Sequence, residues 1–429
     1  MLLEFRVSNY RSFRDQQIFS MLAYPRHEEG LETHAFQTEI ENIPPVLKTA
    51  AIYGANASGK SNLLKAIQFM RGYVLQTVTN PGSVLNAAFS TFSFDNDSPN
   101  KPSSFEITIL INKVRYQYGF SILNGRVFEE YLLAYPQKVA QTWFTRTWNS
   151  QTEQYEYTYS TFFKGSKKTW EKMTRDSVLY LSTAVALNNA QLKPIYDWFK
   201  DQLVVINDLE RLNQNFTVNQ IKFGKAKDEI IKLLQSADFS IDDIRLLTKK
   251  IPNTNITIDD DNQVQAVNQE MIDRDFVLLG HKTESGMRFL GLEQESLGTQ
   301  KFFFLAGPIL DILTKHVTIL FDELDTSLHP KLVEKLIQAF ETIPNQREGS
   351  QLIFTTHCDG LLENQTSSPK QVPLLRRDQV WFISKNESQS SEVYSLLDFK
   401  VRKNESVREG YRKGRFDAVP LIDQLFNAG

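Results

Sequence analysis

Residues 54–61 read Gly54-Ala-Asn-Ala-Ser-Gly59-Lys60-Ser61, and this run leaves the chain few folds to choose from. A short apolar stretch, Leu47–Tyr53, precedes it, and Leu63, Leu64, Ile67 and Met70 follow at helical spacing. Strand, glycine loop and helix in that order make a phosphate loop. The glycines let backbone N–H groups close around phosphate oxygens, Lys60 neutralises the β/γ oxygens, and Ser61 offers a hydroxyl to Mg²⁺. The expected contacts to ATP are Gly54, Asn56, Ser58, Gly59, Lys60, Ser61 and Asn62.

Val317–Phe321 is a β-branched, apolar run that ends in two adjacent acids, Asp322 and Glu323. Carboxylates at the end of a buried strand suit a metal and a reacting water. Asp322 is expected to hold Mg²⁺ and Glu323 to polarise the water. The next predicted strand, Gln351–Thr355, leads into Thr356 and His357. In a phosphate-loop protein, a histidine at that strand end reaches the γ-phosphate as a hydrogen-bond donor. Asp325 reads as a helix cap, Pro330 as the first residue of a helix, and His329 as structural. Cys358 beside His357 gives no metal site, because one cysteine and six scattered histidines lack ligand spacing.

A further polar knot, Ser296-Leu-Gly298-Thr-Gln300, opens onto Phe302–Phe304. By itself it is an N-capped helix, with Ser296 as cap and Gln300 near the capping-box position. Its hydroxyl, free N–H groups and helix dipole also favour a phosphate. The phosphate loop already has its own clamp, so Ser296 and Gly298 are expected to meet the γ-phosphate held by a second subunit.

Elsewhere the pattern is coarser. Residues 104–147 alternate as antiparallel strands, with turns at Asn112-Lys113 and Asn124-Gly125. Residues 160–250 read as helical, and 253–268 as an exposed loop or hairpin. The expected fold is α/β: a P-loop head built from residues 1–150 and 276–429, with an antiparallel β subdomain and a mainly helical insertion at 151–275. Net charge is −3 and there is one cysteine, which fits a reducing cytoplasm and excludes a disulfide framework. The N-terminus lacks the apolar core of a signal peptide, and no run of 18 apolar residues occurs, so no membrane span is expected.

The order of these motifs resembles the ABC-type ATPase heads of the SMC, RecF and OLD group. Asn9-Tyr10-Arg11-Ser12-Phe13 looks like the stretch that begins many such heads, and the resemblance implies that Arg11 and Ser12 lie near the nucleotide. Ser296–Gln300, Phe321–Pro330, Gln351–His357, Arg376–Phe382 and the tail Tyr411–Pro420 together look like the stand-alone ATPases of bacterial abortive-infection and anti-phage loci. These include the RloA/AbiL-type ATPases and the ATPase subunits of the PARIS and Septu systems. The likeness spans residues 1–150 and 275–429. It implies an ATPase that forms a homodimer or higher homo-oligomer through an ATP sandwich. It also implies a separate effector, a Toprim or HNH nuclease, with DNA or a phage protein as trigger. OLD-type nucleases carry a Toprim domain with an Asp-x-Asp cluster, and none follows His357 here. The glutamine that links Mg²⁺ to the second lobe of such heads has Gln137 and Gln141 as its candidates.

Two other readings compete. A DNA-repair or chromosome clamp would lay DNA on the closed dimer and needs a basic stripe. Residues 400–415 hold seven cations (Lys400, Arg402, Lys403, Arg408, Arg412, Lys413 and Arg415) against Glu405 and Glu409. A transporter's ATP-binding subunit would share the phosphate loop, but the alternating stretch 104–147 is unlike one.

Overall fold

Asn112 and Lys113 have φ of 50° and 63°, and Asn124 and Gly125 have 52° and 75°. Each pair closes a two-residue hairpin, as the sequence predicts. The turns fold β6 (Ser103–Ile111), β7 (Val114–Leu123) and β8 (Arg126–Tyr135) into a meander that continues through β9 (Gln141–Asn149) and β10 (Gln154–Tyr159). On the far side β1 (Leu2–Ser8) pairs with β6, and β2 (Gln17–Ser20) with β1, which completes a seven-stranded antiparallel sheet. These coordinates are a computed structural model. It describes residues 1–24, 30–38, 40–80, 89–206, 214–224, 226–237, 239–258, 264–325, 328–341, 349–363, 373–402 and 405–419. The expected features at Thr326-Ser327, Lys403, Pro420 and the acidic run 259–263 lie outside these.

A second sheet carries the chemistry. Its strands run in the order β11 (Leu203–Ile206), β15 (Thr318–Phe321), β16 (Gln351–Thr355), β5 (Thr49–Gly54), β17 (Val380–Lys385), β18 (Ser391–Ser395). All neighbours are parallel except β18, which returns antiparallel to β17. The central strands are fully buried apolar runs, as a parallel sheet covered on both faces requires. Near them β3 (Ala35–Phe36) and β4 (Val46–Leu47) form a two-stranded ladder.

One continuous core joins the two sheets. The helix Lys60–Gln76 turns Phe69 and Tyr73 onto Phe105 and Phe120 of the antiparallel sheet, with ring centroids 4.9 and 5.4 Å apart. Ala50, Ile52, Leu320, Ile353 and Ile383 of the parallel sheet belong to the same cluster. Burial of this kind stabilises by about 25 cal/mol per Å² of apolar surface, so this interior fixes where the strand ends lie.

The chain divides into one unit of residues 1–207 and 315–429 and another of 208–314. The division differs from the boundaries at 151 and 275 that the pattern suggested. Trp170, Tyr180, Ile195, Trp198 and Leu203, all read as part of a helical insertion, bury in the core of the larger unit. The helix Tyr180–Ala186 docks there through Glu130, which accepts from Tyr180 N at 2.6 Å and Leu181 N at 2.9 Å.

The smaller unit holds the helices Asn215–Phe223, Lys227–Ser236 and Leu297–Thr314. It also holds a sheet of β12 (Asp243–Ile258), β13 (Val264–Thr283) and β14 (Gly286–Gly291). Within the stretch read as loop or hairpin, the described residues on either side of 259–263 pair as antiparallel strands, β12 with β13 from Asp243↔Gly280 to Ile258↔Val264. Phe302 and Phe303 are buried core residues of the helix Leu297–Thr314, and Thr217 Oγ1 donates to Phe303 O at 2.9 Å.

Candidate nucleotide site

Three loops leave the same edge of the parallel sheet, after β5, β15 and β16. The loop after β5 is closed by Gly54 and Gly59. A Cβ at Gly54 would lie 2.4 Å from Ile383 O, and one at Gly59 would lie 2.4 Å from Ser391 Oγ. Gly59 also has φ of 115°, which a side chain disfavours. Ser58 and Gly59 are buried and Asn56 is exposed. The helix Lys60–Gln76 has no side-chain N-cap, so its first N–H groups keep their capacity to hold an anion. Lys60 is buried, and its Nζ donates to Gly54 O at 2.8 Å and Ala55 O at 3.1 Å. The ammonium is folded back onto its own loop. Burial holds its pKa below the ordinary lysine value, opposed by Glu323, Asp322 and Asp325.

Asp322 joins the loops. Its Oδ1 accepts from Ser61 Oγ at 3.1 Å and from Thr355 Oγ1 at 2.7 Å. Thr355 also accepts from Glu323 N at 2.7 Å, and its carbonyl accepts from Leu324 N at 3.1 Å. The turn after β15 is thereby docked on the end of β16. Glu323 is exposed and sits at φ of 51°, a conformation non-glycine residues adopt at a cost. Asp325 Oδ2 accepts the His357 N–H at 3.0 Å. The imidazole of His357 lies within electrostatic reach of Lys60 and the three acids. Burial and then Lys60 push its pKa below the usual histidine value, against Asp325, Glu323 and Asp322. Both causes favour the neutral imidazole, which still carries one N–H to donate.

Ser12 meets the phosphate-loop helix, and Arg11 beside it contacts Tyr10 and Ser90. Ser12 Oγ accepts from Asn62 Nδ2 at 2.8 Å, and Ser12 O accepts from Ser391 N at 2.7 Å. Arg11 Nε donates to Tyr10 Oη at 3.1 Å, and its backbone N–H donates to Ser90 O at 2.9 Å. Gln137 lies in the turn between β8 and β9 of the antiparallel sheet, and Gln141 is the first residue of β9. In the smaller unit Ser296 caps the helix Leu297–Thr314: Thr299 N donates to Ser296 Oγ at 3.1 Å. Gln300 Nε2 reaches Glu295 O at 2.8 Å instead of closing a capping box. His329 Nδ1 accepts from Lys331 N at 3.3 Å at the start of the helix Pro330–Glu341.

Two residues that hold the site escape the sequence reading. Thr355 was in view only as a strand end, although its hydroxyl ties the two acids to β16. Ser391 lies 333 positions from Ser58, whose carbonyl accepts its hydroxyl at 2.5 Å, and nothing in its local sequence marks it.

The sequence profile of the family described as "AAA domain, putative AbiEii toxin, Type IV TA system" matches residues 50–363. That span runs from the phosphate loop through His357. No curated protein matches the chain. Among solved structures it is similar to an SMC head bound to the C-terminal winged-helix domain of ScpA, with a TM-score of 0.44 and 12% identity over 96% of this chain and 99% of that one. The SMC head domain from Thermotoga maritima gives 0.41 and 11% over 92% and 98%. The SMC head from Pyrococcus furiosus, with an extended coiled coil and bound to the C-terminal domain of ScpA, gives 0.40 and 12% over 97% and 99%.

Proposed function

The chain belongs to this AAA family, and from that premise we propose that it is an ATP-hydrolysing subunit of a bacterial anti-phage system of the abortive-infection kind. It dimerises on ATP and controls a separate toxic effector, a Toprim or HNH nuclease, with DNA or a phage protein as the trigger. One observation carries the catalytic part: Lys60, Ser61, Asp322, Glu323 and His357 converge from three neighbouring strand ends. The family description, which names a toxin of a toxin–antitoxin system, supports the context.

Phosphoryl transfer to water needs positioning and charge neutralisation more than covalent chemistry. Lys60 exchanges its two carbonyl partners for phosphate oxygens, which relieves a buried ammonium of an unfavourable setting. The uncapped N–H groups of its helix hold the remaining phosphate charge. Ser61 and Asp322 present adjoining hard oxygens, a donor set that fits Mg²⁺, which when bound neutralises charge on the β and γ oxygens. Glu323, pinned at its backbone by Thr355, orients the attacking water. His357 donates to the γ-phosphate, while Ser296 and Gly298 of a second copy complete the site. Loss of the γ-phosphate removes the group that joins the two copies, so the dimer loosens.

The clamp reading asks for free cations in the tail. Arg408 and Arg412 instead face Asp359, Arg415 faces Glu405, and Lys413 faces Glu409. Among the described residues no helix is long and apolar enough to cross a membrane. The test is phage plating on cells that carry this gene and its neighbouring reading frame, with wild-type protein and with K60A. Protection that K60A abolishes supports the reading. Protection indifferent to K60A sinks the ATP-dependent role, and sensitivity to DNA damage without any phage phenotype favours the clamp.

A further inference from the structure

Tyr53 is the last residue before Gly54, and its ring is fully buried. Its hydroxyl donates to Cys358 O at 3.1 Å, one residue beyond His357. Its ring meets Tyr411 edge-on with centroids 5.5 Å apart, and Tyr411 stacks on Phe382 at 6.0 Å. Tyr411 lies on the short helix Val407–Arg412, which also carries Arg408 and Arg412 one turn apart. Both guanidinium groups converge on Asp359 Oδ2, Arg408 Nε at 3.4 Å and Arg412 Nε in closer contact. Arg408 Nη1 also donates to Glu363 Oε2 at 3.0 Å.

The segment from His357 to Glu363 therefore has three ties. Asp325 holds the His357 N–H, Tyr53 holds the Cys358 carbonyl, and the two arginines hold Asp359 and Glu363. The last two ties lead to one helix near the C-terminal end of the described chain. Arg412 is more than half exposed, and exposed ion pairs add little to stability. Two arginines on one carboxylate oxygen are better suited to fixing a position. Burial raises the Asp359 pKa, but hydrogen bonds from Arg412 and Arg408 outweigh it and keep the carboxylate charged. Tyr411 anchors the helix independently through its buried ring, so the helix does not depend on the arginines to stay in place.

We propose that Arg408 and Arg412 are positioning residues for His357: through Asp359 they fix the segment that presents the imidazole to the γ-phosphate, and so make the C-terminal helix a determinant of the hydrolysis rate. The inference rests on the assignment of His357 given above.

A mutant cycle tests it, with kcat from phosphate release and affinity from a fluorescent ATP analogue. R408A/R412A is expected to lower kcat about ten-fold, because a small misplacement of a contacting group is costly, while ATP affinity and melting temperature stay near wild type. R412K is expected to restore part of the loss when Arg408 is kept as alanine. In an H357A background the double substitution is expected to lower kcat no further, because both changes act on one contact. An unchanged kcat in R408A/R412A overturns the inference, and so does an equal fall in the H357A background. H357A hydrolysing at the wild-type rate overturns the His357 assignment itself, and this inference with it. Should the double variant fold poorly, D359N removes the shared charge at constant size and is read by the same outcomes.

Discussion

Ser61 Oγ and Asp322 Oδ1 meet at 3.1 Å across 261 positions of sequence, and Thr355 Oγ1 approaches the same carboxylate oxygen at 2.7 Å. The contact joins the phosphate loop to the acidic strand end. Thr355 is fully buried and also accepts the Glu323 N–H. T355V keeps the shape but removes the acceptor of the Glu323 N–H and the donor to Asp322, two hydrogen bonds worth about 0.5–1.5 kcal/mol each. The expected outcome is a lower melting temperature together with slower hydrolysis, and T355S keeps both near wild type. Full activity in T355V would show that the Glu323 turn does not need this tether.

Lys60 is held charged in a buried setting that disfavours the charge. K60M removes that penalty and keeps the apolar stem. It is expected to lose ATP binding in a fluorescent-analogue titration, yet to melt no lower than the wild type without nucleotide. A clear destabilisation would mean that the bonds to Gly54 O and Ala55 O outweigh the burial cost.

Glu323 is the residue expected to orient water, whereas Ser61, Asp322 and Lys60 bind. E323Q keeps size and hydrogen bonding and loses the charge. It is expected to bind ATP at near wild-type affinity and hydrolyse it more slowly by about two orders of magnitude, the scale of general-base loss. The closed dimer should then accumulate, measured by light scattering with ATP. Wild-type turnover in E323Q would remove Glu323 from this role.

What was legible in the sequence was what local chemistry dictates. Gly54–Ser61 specify a loop, the run ending at Asp322-Glu323 specifies a buried strand end, and Asn124-Gly125 specify a hairpin. What joins them was not legible. Thr355, Asp325 and Ser391 matter because sheet order brings their strands together, and a tethering threonine looks like any β-branched strand residue. Residues 160–206 carried helical periodicity, but which core they bury against is a tertiary choice that periodicity does not encode. The tail reads as a basic stripe because its acidic partners Asp359 and Glu363 lie about fifty residues upstream.

His357 gives a pH prediction with a definite sign. Burial and then Lys60 depress its pKa. The unfolded chain therefore binds the proton more readily, and the His357 contribution to stability falls as pH drops through and below the ordinary imidazole range. K60M removes the second cause and leaves the three acids, so the imidazole should titrate at higher pH than in the wild type. Two-dimensional NMR of the ring protons reads this directly. A titration that stays put or moves down in K60M would separate His357 from the phosphate-loop lysine.

Gly298 separates what the single chain needs from what a dimer needs. A Cβ built there meets no neighbour closer than Ser296 Oγ at 3.7 Å, and the adjoining Leu297 is 72% exposed. Among the described residues nothing in the packing asks for glycine there, and alanine in a helix is favoured by about 0.5–1 kcal/mol. G298A is therefore expected to melt at or above the wild-type temperature. If Gly298 faces the γ-phosphate of another copy, the added methyl group fills that approach, and ATP-dependent dimerisation and turnover fall together. Mixing locates the sharing. K60A and S296R, each inactive alone, give in a mixed dimer one site with Lys60 from one copy and Ser296 from the other. Part of the hydrolysis rate should return on mixing. No recovery in mixed dimers verified by two different affinity tags would place Ser296 and Gly298 outside the site and leave them as an ordinary helix start.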